Sequence, residues 1–314
     1  MTHRRLAFAA AAILLLSASA AQAHDPASCR SVRLSDPGWT DIDATNSTAS
    51  FVLKALGYVP KVKTLSVQVG FRSMKNGDID VFLGNWMPAQ KKYMDDLNKV
   101  HAVKVLTRNL TGAKYTLAVP SYVAKEGVTN VKDLAAHAKA FGKKIYGIAP
   151  GAPGNQNIRK MIDSPGMGLH GWSVVASSEA GMLAEVARAV RAKKAIVFLA
   201  WAPHPMNTKF HLTYLSGGDK WFGANYGGAE VYTLARTGWP NACPNAARFF
   251  RNLKFNIDME NRMMGKILDN GKTANDAVTE WIKAHPKVLG PWLDGVTTFD
   301  GKPGLPAVKA ALGL

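Results

Sequence analysis

Four aromatic residues and one carboxylate stand out for the chemistry they could do together: Trp39 and Asp41 in SDPGWTDID, Trp86 in DVFLGNWMP, Tyr115 in GAKYTLAV and Trp201 in IVFLAWAPHPMN. A quaternary ammonium has no N–H to donate, so the negative faces of aromatic rings are what attract it. Three or four desolvated faces at about 2 kcal/mol each give roughly 6 to 8 kcal/mol, close to the ~8 kcal/mol of a micromolar dissociation constant. Association costs oppose this, so such a cage has to be preorganised. Asp41 sorts ligands by charge: at about 4 Å and an effective dielectric near 20 it attracts a cation by on the order of 4 kcal/mol and repels a zwitterion's carboxylate by a similar gross amount. The set suits a net cation with a hydroxyl better than a betaine. Plainer readings stay open for each residue alone: a tryptophan at a sheet end as core, and Asp41 or Asp43 as a helix cap before Thr45.

Two of these segments rhyme. Val81, Phe82 and Leu83 precede a small residue, Trp86 and Pro88, while Val197, Phe198 and Leu199 precede a small residue, Trp201 and Pro203. Proline cannot continue a central ladder, so each apolar run reads as a strand that ends on its tryptophan. Between them the pattern predicts strands over 31–34, 62–67, 81–83, 114–119, 144–148, 172–176 and 195–200. These alternate with helices over 45–56, 71–76, 89–100, 131–140, 155–162 and 179–191. Helices follow at 245–253, 257–268 and 274–284. Such alternation predicts parallel sheets with helices on both faces, and ligands in such sheets bind beyond the carboxyl ends of the strands.

Arg4 and Arg5, the apolar run Leu6 to Leu16 and the small-residue site Ala21-Gln22-Ala23 read as a secretory signal over 1–23, with the mature chain starting at His24 in the periplasm. Cys29 and Cys243 are the only cysteines. In an oxidising compartment a lone pair is most simply one disulfide, worth roughly 5 kcal/mol before native-state strain is subtracted, against two buried thiols. The bridge would put residues 24–112 and 212–314 in one lobe and make 113–211 an inserted second lobe. Two crossover strands, near 109–115 and 210–215, would join them across a cleft. The fold class expected is α/β, a two-lobed clamp with each lobe a mainly parallel sheet flanked by helices. The formal net charge is +17, but the lysines and arginines are scattered singly or in pairs without a nucleic-acid motif, so a solvated basic surface is expected and no nucleic-acid partner.

The loop YGIAPGAPGNQN, 146–157, joins a strand to a helix and can offer backbone N–H groups or Asn155 to a ligand, or be a plain tight turn; no Gly-Lys-Ser/Thr follows. With GWTD, DVFLGNWMP, GAKYTLAV, YGIAPG, SSEAGMLAEVARA, IVFLAWAPHPMN, LTYLSGGD and NYGGAEVYT, the mature chain resembles the periplasmic choline-binding proteins of ABC importers, within the glycine betaine and proline betaine binding family. The resemblance implies a type II periplasmic-binding, Venus-flytrap fold, choline or another trimethylammonium compound as ligand, and a membrane permease with its ATPase as partner. It also implies an aromatic box of Trp39, Trp86, Tyr115 and Trp201 with Asp41 at the ligand hydroxyl; a monomer without cofactor or metal is expected. Choline-binding members carry an asparagine in the glycine loop where this chain has Ala152; Asn155 falls at a later loop position. As readings from other classes, His24 with His204 or His211 would suit a copper brace, and Met87, Met206, Met263 and Met264 would suit Cu(I) or fill core gaps. A sensor handing its ligand-bound form to a receptor would use the same clamp.

Overall fold

The computed structural model describes residues 24–314; the expected signal, 1–23, lies outside the described residues. Among these, nine strands form one sheet: β1 (Ser31–Asp36), β2 (Val59–Thr64), β3 (Val81–Met87), β4 (Val103–Pro120), β5 (Lys144–Tyr146), β6 (Ser173–Val175), β7 (Phe198–Ala202), β8 (Leu212–Tyr214) and β9 (Gly228–Arg236). Their order is β2-β1-β3-β9-β4-β7-β5-β6, with β8 on the outer end of β4. One end of the sheet holds the parallel pairs β1–β2 and β1–β3, the other the parallel pairs β5–β6 and β5–β7. Parallel strands with helical crossovers were expected from the alternation of patterns, and this part of the expectation holds.

Two antiparallel strands weld the ends together. β4 is 18 residues long; it pairs with β9 from Val103 to Lys114 and with β7 from Lys114 to Ala118. The sequence pattern predicts only its second half, because the first is broken by register shifts and by Gly112 at φ +73°. β9, which pairs with both β3 and β4, has no counterpart among the predicted strands, although its buried positions partly alternate. β8 pairs with the far end of β4, and Ser216 bridges Asn130, so the chain is still on the β5–β7 side there; it reaches β3 and β4 again at Gly228.

The helices that matter for the site are α1 (Thr40–Ala55), α2 (Val67–Asn76), α3 (Lys91–Lys99), α4 (Pro153–Ile162) and α5 (Glu179–Arg191), followed by α6 (Pro244–Asn252), α7 (Ile257–Leu268) and α8 (Ala274–Ala284). α1 begins at Thr40, five residues before the predicted start. Asp41 and Asp43 lie in its first turn, and because Trp39 offers no capping side chain, the Thr40 amide donates instead to the Glu179 carboxylate at 3.1 Å. The predicted helix over 131–140 is instead two short turns, Asp133–Ala136 and Ala138–Phe141, broken at His137. Cys29 and Cys243 form the disulfide, with Cα atoms 5.6 Å apart. Beside it the buried Asp25 accepts from the amides of Asn245 and Ala246 at 2.8 and 2.9 Å, capping α6 and pinning the start of the described chain.

Candidate functional site

The strand ends converge on one cavity. Trp39, Asp41, Trp86, Ala89, Gln90, Tyr115, Ile148, Pro153 and Trp201 line it, and its empty volume is about 310 Å³ including the mouth. Tyr115 stands between the two strand-end tryptophans. It lies directly opposite Trp201 in the β4–β7 register, with ring centroids 6.4 Å apart, and its ring is 5.9 Å from that of Trp86. Trp39, at the N-terminal boundary of α1, closes the group. All four rings are buried.

Close packing sets the spacing of the walls. A Cβ on Gly84 would come within 2.5 Å of Ile42, so glycine is what lets α1 lie against β3 and bring Asp41 to Trp86. A Cβ on Gly154 would meet the Tyr115 hydroxyl at 2.4 Å and Leu199 at 2.5 Å, so the first turn of α4 backs the Tyr115 wall.

Asp41 Oδ2 accepts from the Trp86 indole N–H at 3.0 Å. Burial, reinforced by the charge of Glu179, raises the Asp41 carboxyl to about 8, against the opposing pull of the Trp86 indole and of the Ile42 and Asp41 amides. Behind it, burial and then the Asp41 charge hold Glu260 of α7 well above the ordinary glutamate range. Burial pushes the Tyr115 phenol up as well; the Gly154 amide approaches that hydroxyl without reaching hydrogen-bond geometry. The Trp39 indole N–H, the Tyr115 hydroxyl and Gln90 Oε1 are buried without a hydrogen-bond partner in the protein. Gln90 is oriented by its amide N–H, which donates to the Gly84 carbonyl at 3.0 Å.

The structure thus brings together Trp39, Asp41, Trp86, Tyr115 and Trp201. It does not bring Asn155 or Ala152 to the cavity wall. Asn155 is fully buried in its own loop, where Oδ1 accepts from the Ile148 amide at 2.9 Å and Nδ2 donates to the Ile148 and Ala149 carbonyls at 2.7 and 3.2 Å. Ala152 is the residue before α4, and its neighbour Pro153 lines the cavity in its place. Sequence reasoning did not name Ala89, Gln90, Ile148 or Pro153, although Ala89 and Gln90 follow Trp86 closely and Ile148 and Pro153 lie in the 146–157 loop that was singled out.

His204 belongs to a separate polar cluster at the edge of the site. Its Nδ1 accepts from the Met206 amide at 2.9 Å, which leaves the proton on Nε2 to be donated to Glu179 Oε1 at 3.1 Å. Glu179 also accepts from the Thr40 amide at 3.1 Å and the Thr40 hydroxyl at 2.5 Å. Among the described residues no group of three or more His, Cys, Asp or Glu side chains could hold a metal ion. Met206, Met263 and Met264 are buried in the hydrophobic core.

Residues 30–284 match the family model for the substrate-binding domain of ABC-type glycine betaine transport systems. The chain is similar to the choline-binding protein of an ABC transporter in complex with choline: 52% identity, 92% of this chain and 100% of that one covered, TM-score 0.90. For such a protein in an unliganded, semi-closed conformation the TM-score is 0.84, again at 52% identity, over 91% of this chain and 100% of that one. Lactococcal OpuAC, closed on glycine betaine, is 29% identical with a TM-score of 0.76, over 83% of this chain and 98% of that one. The family match spans most of the described residues, and the relatives share the fold at full length. This chain belongs to the family of substrate-binding domains of ABC-type glycine betaine transport systems.

Proposed function

We propose that this protein captures a small quaternary ammonium cation, choline before glycine betaine, and delivers it to the permease of an ABC importer outside the cytoplasm. One observation carries the reading: Trp39, Trp86, Tyr115 and Trp201 enclose a cavity with a single carboxylate, Asp41, in its wall. Aromatic faces suit a methylated nitrogen, which has no N–H to donate, and the carboxylate favours a ligand whose charge is uncompensated. The unpartnered Gln90 Oε1, Tyr115 hydroxyl and Trp39 indole N–H suit one hydroxyl on that ligand. The choline complex of a protein that is 52% identical supports the same choice.

The expected clamp of residues 24–112 with 212–314 and residues 113–211 is kept with one change: residues 212–227 go with the second part, because β8 pairs with the end of β4 and Ser216 bridges Asn130. Residues 1–23 serve as the export signal and the mature protein works in the periplasm as a binding protein without catalysis. No helix among the described residues is long and apolar enough to cross a membrane.

Calorimetric titration with choline, glycine betaine, carnitine, acetylcholine, trimethylamine N-oxide and proline tests the reading. Choline is expected to bind most tightly. If no trimethylammonium compound binds more tightly than about 1 mM, near 4 kcal/mol, the aromatic cage is not a ligand site.

A further inference from the structure

We infer that Glu179 is a positioning residue for the cavity, a clasp that ties the wall carrying Trp39 and Asp41 to the wall carrying Trp201. This rests on the proposed binding function for its purpose and on geometry for its parts. Thr40 sits in the chain between Trp39 and Asp41, both of which line the cavity, and it is the first residue of α1. Glu179 is the first residue of α5, 139 positions away. His204 packs edge-on against the Trp201 ring, with centroids 5.0 Å apart. One carboxylate joins all three, through the bonds to the Thr40 amide, the Thr40 hydroxyl and the His204 ring.

The local physics explains why a carboxylate is needed. The first amides of a helix have no partner within the helix, and Trp39 offers no capping side chain to α1. Glu179 supplies that cap from the far side of the cleft. It stands at the positive ends of two helices, its own and α1, where a negative charge is favoured. The His204 tautomer is set by the Met206 amide, so Nε2 presents a proton and requires an acceptor. Thr40, Glu179 and His204 are 8%, 5% and 2% exposed, so with the walls together these bonds are shielded from water. Parting the walls breaks the pair to Thr40 and hydrates both partners. The clasp therefore contributes only to the shut state, and whatever favours that state raises ligand affinity and slows release.

The experiment compares the parent with Glu179→Ala, Glu179→Gln and Thr40→Ala. For Glu179→Ala the dissociation constant for choline is expected to rise about 10- to 100-fold. The change should lie in the release rate measured by stopped-flow, with association changed less than about twofold. Thr40→Ala added to Glu179→Ala should cost little more, because the two share one interaction. Glu179→Gln should fall between, since its amide oxygen can still accept from the Thr40 hydroxyl and His204, as Oε1 does, while its N–H₂ replaces the oxygen that accepts from the Thr40 amide and faces a donor. Small-angle scattering without ligand should show Glu179→Ala more open than the parent, at an unchanged melting temperature. A release rate within twofold of the parent, or additive losses for Thr40 and Glu179, would overturn the inference. So would a lowered melting temperature with unaltered release, which marks a purely structural role. Should the parent bind no quaternary ammonium, the functional reading fails while the scattering comparison still decides the clasp: equal dimensions for parent and Glu179→Ala remove it.

Discussion

β3 leaves the sheet through Leu83, Gly84, Asn85, Trp86, Met87 and Pro88, and β7 leaves through Leu199, Ala200, Trp201, Ala202 and Pro203; in both the peptide bond before the proline is cis. The first has one residue more. The β3–β9 register shifts between Phe82 and Asn85, so the extra residue is taken up as a bulge and Trp86 is re-aimed. The small residue also differs with purpose. Gly84 admits Ile42 of α1 and so brings a carboxylate to the Trp86 indole, whereas Ala200 sits within β7, with Trp201 next to it packed against His204. Two similar strand ends thus supply two similar aromatic faces, but one is wired to charge and the other to the polar cluster of Glu179 and Thr40. The aromatic face is the shared part; what each tryptophan is bonded to is the specialised part.

If that division is right, the two tryptophans should not be equivalent. Trp86→Ala removes a face and also the donor that stabilises the ionised Asp41, so its dissociation constant for choline should rise about 100-fold, against about 30-fold for Trp201→Ala, from roughly 2 kcal/mol per desolvated face. Equal losses by calorimetry would break the comparison. Next in size, Asp41→Asn should weaken choline by about tenfold or more while affecting glycine betaine less, because the lost charge attracts the cation and repels the carboxylate. An unchanged choline to betaine ratio would remove Asp41 from the selectivity argument. Gly154→Ala, which drives a methyl into the Tyr115 hydroxyl, should weaken both ligands together by a smaller factor, about tenfold or less, through a displaced wall.

The last effect concerns protons and is spread over the pH range in which Asp41 titrates. Burial lifts Asp41 from 3.8 to about 8 in the unliganded site, so the site carries it neutral below that pH. A raised carboxyl is a cost that grows as pH rises from the ordinary value to about 8, and a bound cation offsets it by favouring the ionised form. Choline affinity should therefore climb between pH 6 and pH 8, by at most about tenfold per unit, and level off above, with proton release detectable by calorimetry in buffers of different ionisation heat. Trp86→Phe, lacking the N–H, should move the rise to higher pH. A flat profile in both proteins would show that Asp41 is ionised without the ligand.

Much of the aromatic site was legible because its members sit where strands stop: Trp86 and Trp201 announce themselves by the proline that follows, and Asp41 by its spacing from Trp39. The loop residues were not legible in the same way. Asn155 carries a ligand-like side chain, yet the glycine-rich turn uses all of it to hold the Ile148 and Ala149 backbone, a demand set by a three-dimensional turn and invisible in composition. The crossing strands were half legible for a related reason. Bulges in β4 erase the two-residue period that marks a strand, and β9 follows a glycine-rich tract that reads as a turn. His204 looked like chemistry or scaffold in the sequence; its meaning came only with Glu179, which is 25 residues earlier in the chain.

The central claim is that the cavity reads positive charge on a methylated centre. Its most direct test is a competition titration of choline against 3,3-dimethylbutan-1-ol, which has the same shape and hydroxyl but a neutral carbon in place of nitrogen. With cation–π faces and Asp41 acting together, choline should bind at least about 100-fold more tightly. Comparable binding of the two would mean that the tryptophans form an ordinary apolar pocket and would contradict the account.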